Sequence, residues 1–294
     1  MSFISNIKER IPRPVRNRVG PLFNPVRQFA WRFVCPVCGR KVKDFLELDR
    51  SFLVEPKKNG SDLVPEQFET LNVAAYSCRY CEASDRERLY ALYLEQRIGS
   101  LGPGATTFRM LDFAPGNSFS DYIRKRYRIT YRTADFLRSG FDDRVDITDM
   151  RGYPDGSFDA FICSHVLEHV SDDNKAMREL YRILRPGGWG ILMVPLSKWL
   201  VTNDVSGVRE DFTKVTEAER WKYFGQGDHV RLYGKSGWVS RLRAAGFQVL
   251  ELGKEFFGED AFARAGIAEG SILYVGEKPA GQGPETSNHR SLKD

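Results

Sequence analysis

The sequence holds few cysteines and few histidines, five and four in 294 residues. It has no apolar run near the about 18 residues that mark a membrane-crossing helix. Its first ten residues lack the apolar centre of a secretory signal. These absences speak against a cystine-stapled secreted fold and a membrane-crossing helix, and set the expectation of a cytoplasmic chain. A strong charge of one sign is also missing. The net charge is +5, and the excess sits in the first 32 residues, where Lys8, Arg10, Arg13, Arg16, Arg18, Arg27 and Arg32 face Glu9 alone. The rest of the chain is slightly acidic, so a broad basic face for nucleic acid is not expected. With 41% hydrophobic residues, the chain can still bury the core of a large domain with an accessory module.

No internal repeat is visible. Four segments are expected. The first is a basic amphipathic arm, 1–33, with Phe3, Ile4, Ile7 and Ile11 at helical spacing and Pro12, Pro14, Pro21 and Pro25 breaking any longer helix. It suits peripheral contact with an anionic inner-membrane surface, or packing on its own domain. Residues 34–104 form a cysteine-bearing module with a linker helix from Asp85 to Arg97. In 105–278, strands alternate with helices. The tail, 279–294, is polar and expected to be disordered.

Four of the five cysteines fall in two pairs, Cys35-Pro-Val-Cys38-Gly and Cys78-Arg-Tyr-Cys81. Paired thiolates at this spacing suit a tetrahedral zinc ion. Four cysteines leave no open coordination position, so the zinc is expected to be structural. Buried free thiols and a redox pair are the alternatives.

The third segment reads as strands at Phe108–Phe113, 129–136, 145–147, Phe158–Ser164, 190–194, 247–252 and 271–275. Helices are expected at 120–126, 172–184 and 237–245. Alternation of this kind predicts an α/β fold with a mostly parallel seven-stranded sheet covered on both faces. Ligands of such sheets bind beyond the carboxyl ends of the strands. Three strand ends carry suitable groups: Asp112-Phe113-Ala114-Pro115-Gly116, Asp135, and Asp146-Ile147. A carboxylate at the second can accept hydrogen bonds from two ribose hydroxyls, or cap a surface turn.

The segment Pro154-Asp-Gly-Ser-Phe-Asp-Ala-Phe-Ile-Cys-Ser-His-Val-Leu-Glu-His-Val170, then Tyr181-Arg-Ile-Leu-Arg-Pro-Gly-Gly188 and Trp189-Gly-Ile-Leu-Met-Val-Pro195, resembles the class I S-adenosylmethionine-dependent methyltransferases of the type 11 branch. The resemblance covers about 108–276. It implies a Rossmann-like methyltransferase domain, preceded here by a zinc-ribbon-like module, with S-adenosyl-L-methionine as cofactor. It also implies cofactor contacts at Asp112, Phe113, Ala114, Pro115, Gly116, Asp135, Asp146, Ile147 and Ser164. One departure stands out. The family's acid-x-Gly-x-Gly-x-Gly turn keeps only Gly116 here, with Ala114 at the first glycine position. The cysteine pairs, Asp112-Phe-Ala-Pro-Gly116 and Asp228-His-Val-Arg-Leu-Tyr-Gly234 are further similar to a bacterial subgroup often found among surface-polysaccharide genes.

Acceptor choice is expected in the insertion 197–234. His229 and His165 are the candidate bases, with Asp228, Arg231, Tyr233 and His169 as candidate acceptor contacts. Capping and pocket shape are equally suitable roles for His165 and His169, and a hydrogen-bonded lid or ion pair for His229 and Arg231. A metal on His165, Glu168 and His169 is disfavoured, because one helix face rarely supplies enough directions. The expected reaction is O-methylation of a small molecule or glycan. The rivals are an RNA methyltransferase, with a basic patch at Arg79, Arg86 and Arg88, and a scaffold that binds cofactor without turnover.

Overall fold

The computed structural model describes residues 32–101, 107–200 and 207–280. The arm of 1–33, save its last two residues, and nearly all of the tail lie outside them. Among the described residues no helix is long and apolar enough to cross a membrane.

The chain enters through a two-residue hairpin, β1 (Phe33–Val34) against β2 (Lys41–Val42), followed by α1 (Ser51–Lys58) and α2 (Asp85–Ile98). Ser84 caps α2 in a reciprocal box. Its side chain accepts from the Glu87 amide, and the Glu87 carboxylate accepts from the Ser84 amide. The alternating region then runs β3 (Arg109–Phe113), α3 (Asn117–Arg126), β4 (Thr130–Asp135), β5 (Asp143–Arg144), β6 (Phe158–Ser164), α4 (Asp173–Ile183) and β7 (Leu184–Met193). After it come β8 (Leu196–Ser197), β9 (Val208–Glu210), α5 (Glu217–Phe224), β10 (Arg231–Gly234), α6 (Lys235–Ala244), β11 (Gln248–Leu252), α7 (Lys254–Phe257), α8 (Glu259–Arg264) and β12 (Leu273–Glu277).

Seven strands form one sheet in the order β11-β12-β7-β6-β3-β4-β5. The pairs from β7 to β5 are parallel, and β12 runs antiparallel to both its neighbours. The expected mostly parallel sheet and Rossmann-like fold are present. The chain builds outward from β3 to β5, then returns to lay β6 on the other side of β3. That reversal opens a crevice at the carboxyl ends of β3 and β6. One expected strand is displaced: the third lies at Asp143–Arg144 rather than 145–147. Asp146 instead folds back on its own backbone, accepting from the Thr148 amide and hydroxyl at 2.8 Å each, which ends the ladder.

The helix α4 follows its sequence pattern. Ala176, Met177, Leu180 and Ile183 are buried against the sheet. The cysteine-bearing segment shares this core, because Cys35, Val37, Phe45 and Cys78 belong to the same cluster as the sheet residues. Arg88 makes the join. It is fully buried and donates to the carbonyl oxygens of Ala75, Tyr76, Ala83, Ala265 and Gly266, with its guanidinium 3.8 Å above the Phe45 ring. A planar cation with five donors satisfies carbonyls from two distant segments at once.

Candidate functional site

The four paired cysteines converge although 39 residues separate the pairs. Their sulfurs lie within 4.8 Å of one another, with Cys35–Cys81 at 3.7 Å and Cys38–Cys78 at 3.9 Å. These distances are far too long for disulfides. They match the about 3.8 Å edge of a sulfur tetrahedron around zinc at about 2.3 Å. The two turns are built alike. Gly39 N donates to Cys35 O and Glu82 N to Cys78 O, each at 2.8 Å, while Cys35 N donates to Arg40 O and Cys78 N to Ala83 O. The residue after each second cysteine has left-handed backbone, Gly39 at φ 69° and Glu82 at φ 62°. Glycine adopts this without cost and glutamate does not, so the Glu82 turn is held against strain. The donor set and geometry fit zinc.

At the sheet edge, Asp112 is buried and takes a 2.7 Å hydrogen bond from the Tyr131 hydroxyl. Burial pushes its carboxyl up to about 8, against the pull of that hydrogen bond. A buried carboxyl with no cation beside it among the described residues fits the ammonium group of a methionine moiety. In the turn that follows, Phe113 and Pro115 are buried and Ala114 stands at φ 53°. A Cβ at Gly116 would lie 2.8 Å from the Glu87 carboxylate, so that side chain would have to shift to admit one. We expect Ala114→Gly to raise stability by about 1 kcal/mol by relieving the left-handed strain. Urea unfolding measures this, and an unchanged or lower midpoint would show that Ala114 carries no strain.

The other sequence candidates fall around the same edge. Ser164 ends β6, and its hydroxyl lies 2.8 Å from that of Tyr90 on α2. Asp135 ends β4, but its carboxylate is engaged. It accepts from the Leu137 and Arg138 amides and pairs with Arg138 Nε at 2.7 Å, so a ribose would have to displace the guanidinium. Ile147 is buried and Asp146 exposed. Sequence reasoning missed what α2 contributes: Arg86, Glu87 and Tyr90 all reach the carboxyl ends of β3 and β6. The signal was available in the Ser84-Asp-Arg-Glu87 capping box directly after the second cysteine pair.

His165 follows β6 at φ 56°, a second strained non-glycine residue beside Ala114. Arg86 Nη1 lies 3.1 Å from its Nδ1 and closer still to Nε2. Burial and this guanidinium hold the His165 imidazole neutral, with its pKa down at about 4. Glu168, on the short helical turn Leu167–His169, is 1% exposed. His165 Nδ1 is 3.2 Å from its Oε1 but off the line of a hydrogen bond, and among the described residues neither carboxylate oxygen has a directed donor. Burial raises the Glu168 carboxyl, while proximity to His165 first, and to His169 and His229, favours its ionised form and holds it below the usual carboxylate range. The His229 ring stands edge-on to His169 with centroids 4.7 Å apart. It is 4% exposed, and burial and then His169 keep it neutral, at about 3. Asp228 Oδ2 lies 3.5 Å from His169 Nδ1.

Two candidate acceptor contacts, Arg231 and Tyr233, have partners within the fold. Arg231 is 1% exposed and donates to the carbonyls of Leu167, Val170 and Ser171 and to Glu210. It braces the turn carrying Glu168 and His169, with four of its five N–H groups committed within the fold. Tyr233 is fully buried and donates to Asp173 at 2.6 Å. Both were singled out for polarity, but their polar atoms are spent inside the fold. The basic patch expected of an RNA-binding module also dissolves. Arg79 pairs with Asp44, Arg86 turns onto His165, and Arg88 is internal.

Comparison with known proteins agrees with this architecture. Residues 75–252 match a protein family described as a methyltransferase domain. A stretch of 49 residues is 43% identical to the ubiquinone/menaquinone biosynthesis C-methyltransferase UbiE of Pectobacterium carotovorum, covering 17% of this chain and 19% of that protein. The chain thus spans about a fifth of the length of the curated relatives it matches. Among solved structures, the [4+2]-cyclase SpnF superposes with a TM-score of 0.42 at 18% identity, over 81% of this chain and all of that one. The CMeT domain of the citrinin polyketide synthase gives 0.44 at 16%, over 69% and 55%. At such scores and identities neither likeness speaks to chemistry. The family match spans more than half of the chain, from the second cysteine turn through α2 to β11, and on that ground the chain belongs to the methyltransferase-domain family, a family of S-adenosylmethionine-dependent methyltransferases.

Proposed function

We propose that the protein transfers the methyl group of S-adenosyl-L-methionine to an oxygen of a small-molecule or glycan acceptor, with a structural zinc on Cys35, Cys38, Cys78 and Cys81. The cofactor, when bound, supplies an electrophilic methyl carbon on a sulfonium. Asp112 would hold its ammonium, the turn Phe113–Gly116 and Ser164 its methionine part, Asp135 its ribose once Arg138 turns away, and Asp146 and Ile147 its adenine. The observation that carries an oxygen acceptor is His165. Its imidazole is 26% exposed at the end of β6 and kept neutral beside Arg86, the form that takes the proton a hydroxyl loses. The exposed rings of Trp199, Phe212 and Tyr223 in and beside the insertion offer faces for sugars or other flat apolar groups.

A carbon acceptor is the second reading, favoured by the identity shared with a C-methyltransferase. Both are tested by incubating the protein with labelled cofactor and a cell extract, then separating small molecules, glycans and RNA. Label in a nuclease-resistant product, on oxygen by NMR, is the expected result. Label on carbon selects the second reading, and label lost to nuclease overturns both.

A further inference from the structure

Glu168 and His169 lie about 60 residues from His229 in sequence, yet their ligand atoms all fall within 4.8 Å of one another. We propose that these three side chains bind a divalent transition-metal cation, at a site separate from the four cysteines. Two imidazole nitrogens and one carboxylate oxygen are the donor set of zinc, iron(II), manganese(II) and cobalt(II) rather than of magnesium or calcium. Small side-chain rotations bring such atoms to the separations of about 3.0–3.5 Å that donors 2.0–2.2 Å from one ion require.

Three observations support a cation there. First, Glu168 is almost wholly buried and, among the described residues, neither of its oxygens receives a directed hydrogen bond and His229 Nδ1 has no partner. Buried carboxylates left this way are costly, and a bound cation satisfies both residues together. Second, His169 is oriented for the task. Its Nδ1 faces Asp228, 3.5 Å from Oδ2 and 3.4 Å from the backbone oxygen, which leaves Nε2 toward Glu168, 3.9 Å from Oε1. A carboxylate behind a histidine fixes the ligating tautomer in this way. Third, the two segments are tied together. Val230 N donates to Glu168 O at 2.9 Å, and Arg231 clamps the carbonyls on either side of the turn. The one-face objection raised by the sequence is removed because His229 approaches from a different element.

Three protein ligands leave positions open on the ion. His165, 3.2 Å from Glu168, marks the side from which an acceptor would enter. The substrate class that follows is one presenting a hydroxyl, or two adjacent hydroxyls, as metal ligands. This substrate half rests on the oxygen-acceptor reading above; the metal half does not.

The test is metal stoichiometry of the full chain, loaded with zinc or cobalt(II), desalted and measured by native mass spectrometry and elemental analysis. Wild type is expected to hold two equivalents, and Glu168→Gln and His229→Gln one each. The cobalt form distinguishes the sites: thiolate charge-transfer absorption persists in the variants, and the absorption of the nitrogen–oxygen site is lost. A wild-type protein with a single, thiolate-bound equivalent overturns the proposal even if both variants misfold. So does a second equivalent that survives both substitutions. Stoichiometry is independent of turnover, so failure to find an acceptor and failure of this site are separate outcomes.

Discussion

Cys78→Ser should destabilise the protein by about 5 kcal/mol or more, lowering the melting temperature by roughly 10–20 °C. The effect is large because the sulfur tetrahedron does more than close the β1–β2 hairpin. Cys81 is followed almost at once by the Ser84 cap, so the second cysteine turn sets the start of α2. That helix carries Arg88, which bonds carbonyls of both the cysteine segment and residues 265–266. It also carries Arg86, Glu87 and Tyr90 to the crevice. Loss of one thiolate should therefore weaken cofactor binding as well as the fold. Thermal unfolding with and without a strong chelator checks this, with the chelated wild type expected to resemble the variant. If the metal-free protein melts within about 2 °C of the loaded one, zinc is not the staple.

For Asp112→Asn, opposite effects on stability and on binding are expected. The wild-type carboxyl is raised in the folded state to about 8, mainly by burial, against about 3.9 in an unfolded chain. A group raised on folding contributes stability that is complete below its unfolded value and lost as pH rises through its folded value. Wild-type stability should thus decline between about pH 4 and pH 8 through this residue. An uncharged amide lacks that slope. The variant's melting temperature should equal or trail the wild type near pH 4.5 and exceed it at pH 8, by a margin worth a few kcal/mol at most. Binding of S-adenosylmethionine should weaken by about 10- to 100-fold, the loss expected for a charge-assisted hydrogen bond. Calorimetry in two buffers of different ionisation enthalpy supplies a further check: wild type should release a proton on binding at pH 7 and the variant should not. Equal affinity in both proteins would remove Asp112 from the cofactor site.

The tension at Asp112 belongs to a wider pattern at this edge. Ala114 and His165, at the ends of adjacent strands, both hold left-handed backbone that their side chains disfavour. Glu168 is buried without a directed partner. Stability is given up where strands β3 and β6 part, and is recovered in the apolar core beneath and in ion-pair clusters such as Asp173 with Arg241 and Tyr233.

What could be read from the sequence was whatever repeats locally. Strand and helix periodicities are set by neighbouring residues, so six of the seven strands, α4 and its buried face were legible from the pattern alone. The two cysteine turns were legible because each is a four-residue unit with its own geometry. Residues marked by chemical character alone gave no sign of partners far along the chain. Arg231 and Tyr233 looked like ligand contacts, and only the folded chain supplies the carbonyls and the carboxylate of Asp173 that engage them. Asp146 looked like a strand residue, and its own side chain ended the ladder. The meeting of Glu168 and His169 with His229 was illegible for the same reason: no periodicity links a turn after β6 to the start of β10. Short-range pattern was enough for the class of fold, and the contiguous motifs of 154–195 carried the family of chemistry by resemblance. The tertiary structure alone decided which polar groups remain free to act, because that depends on long-range partners whose bonds bury some of them and leave others exposed.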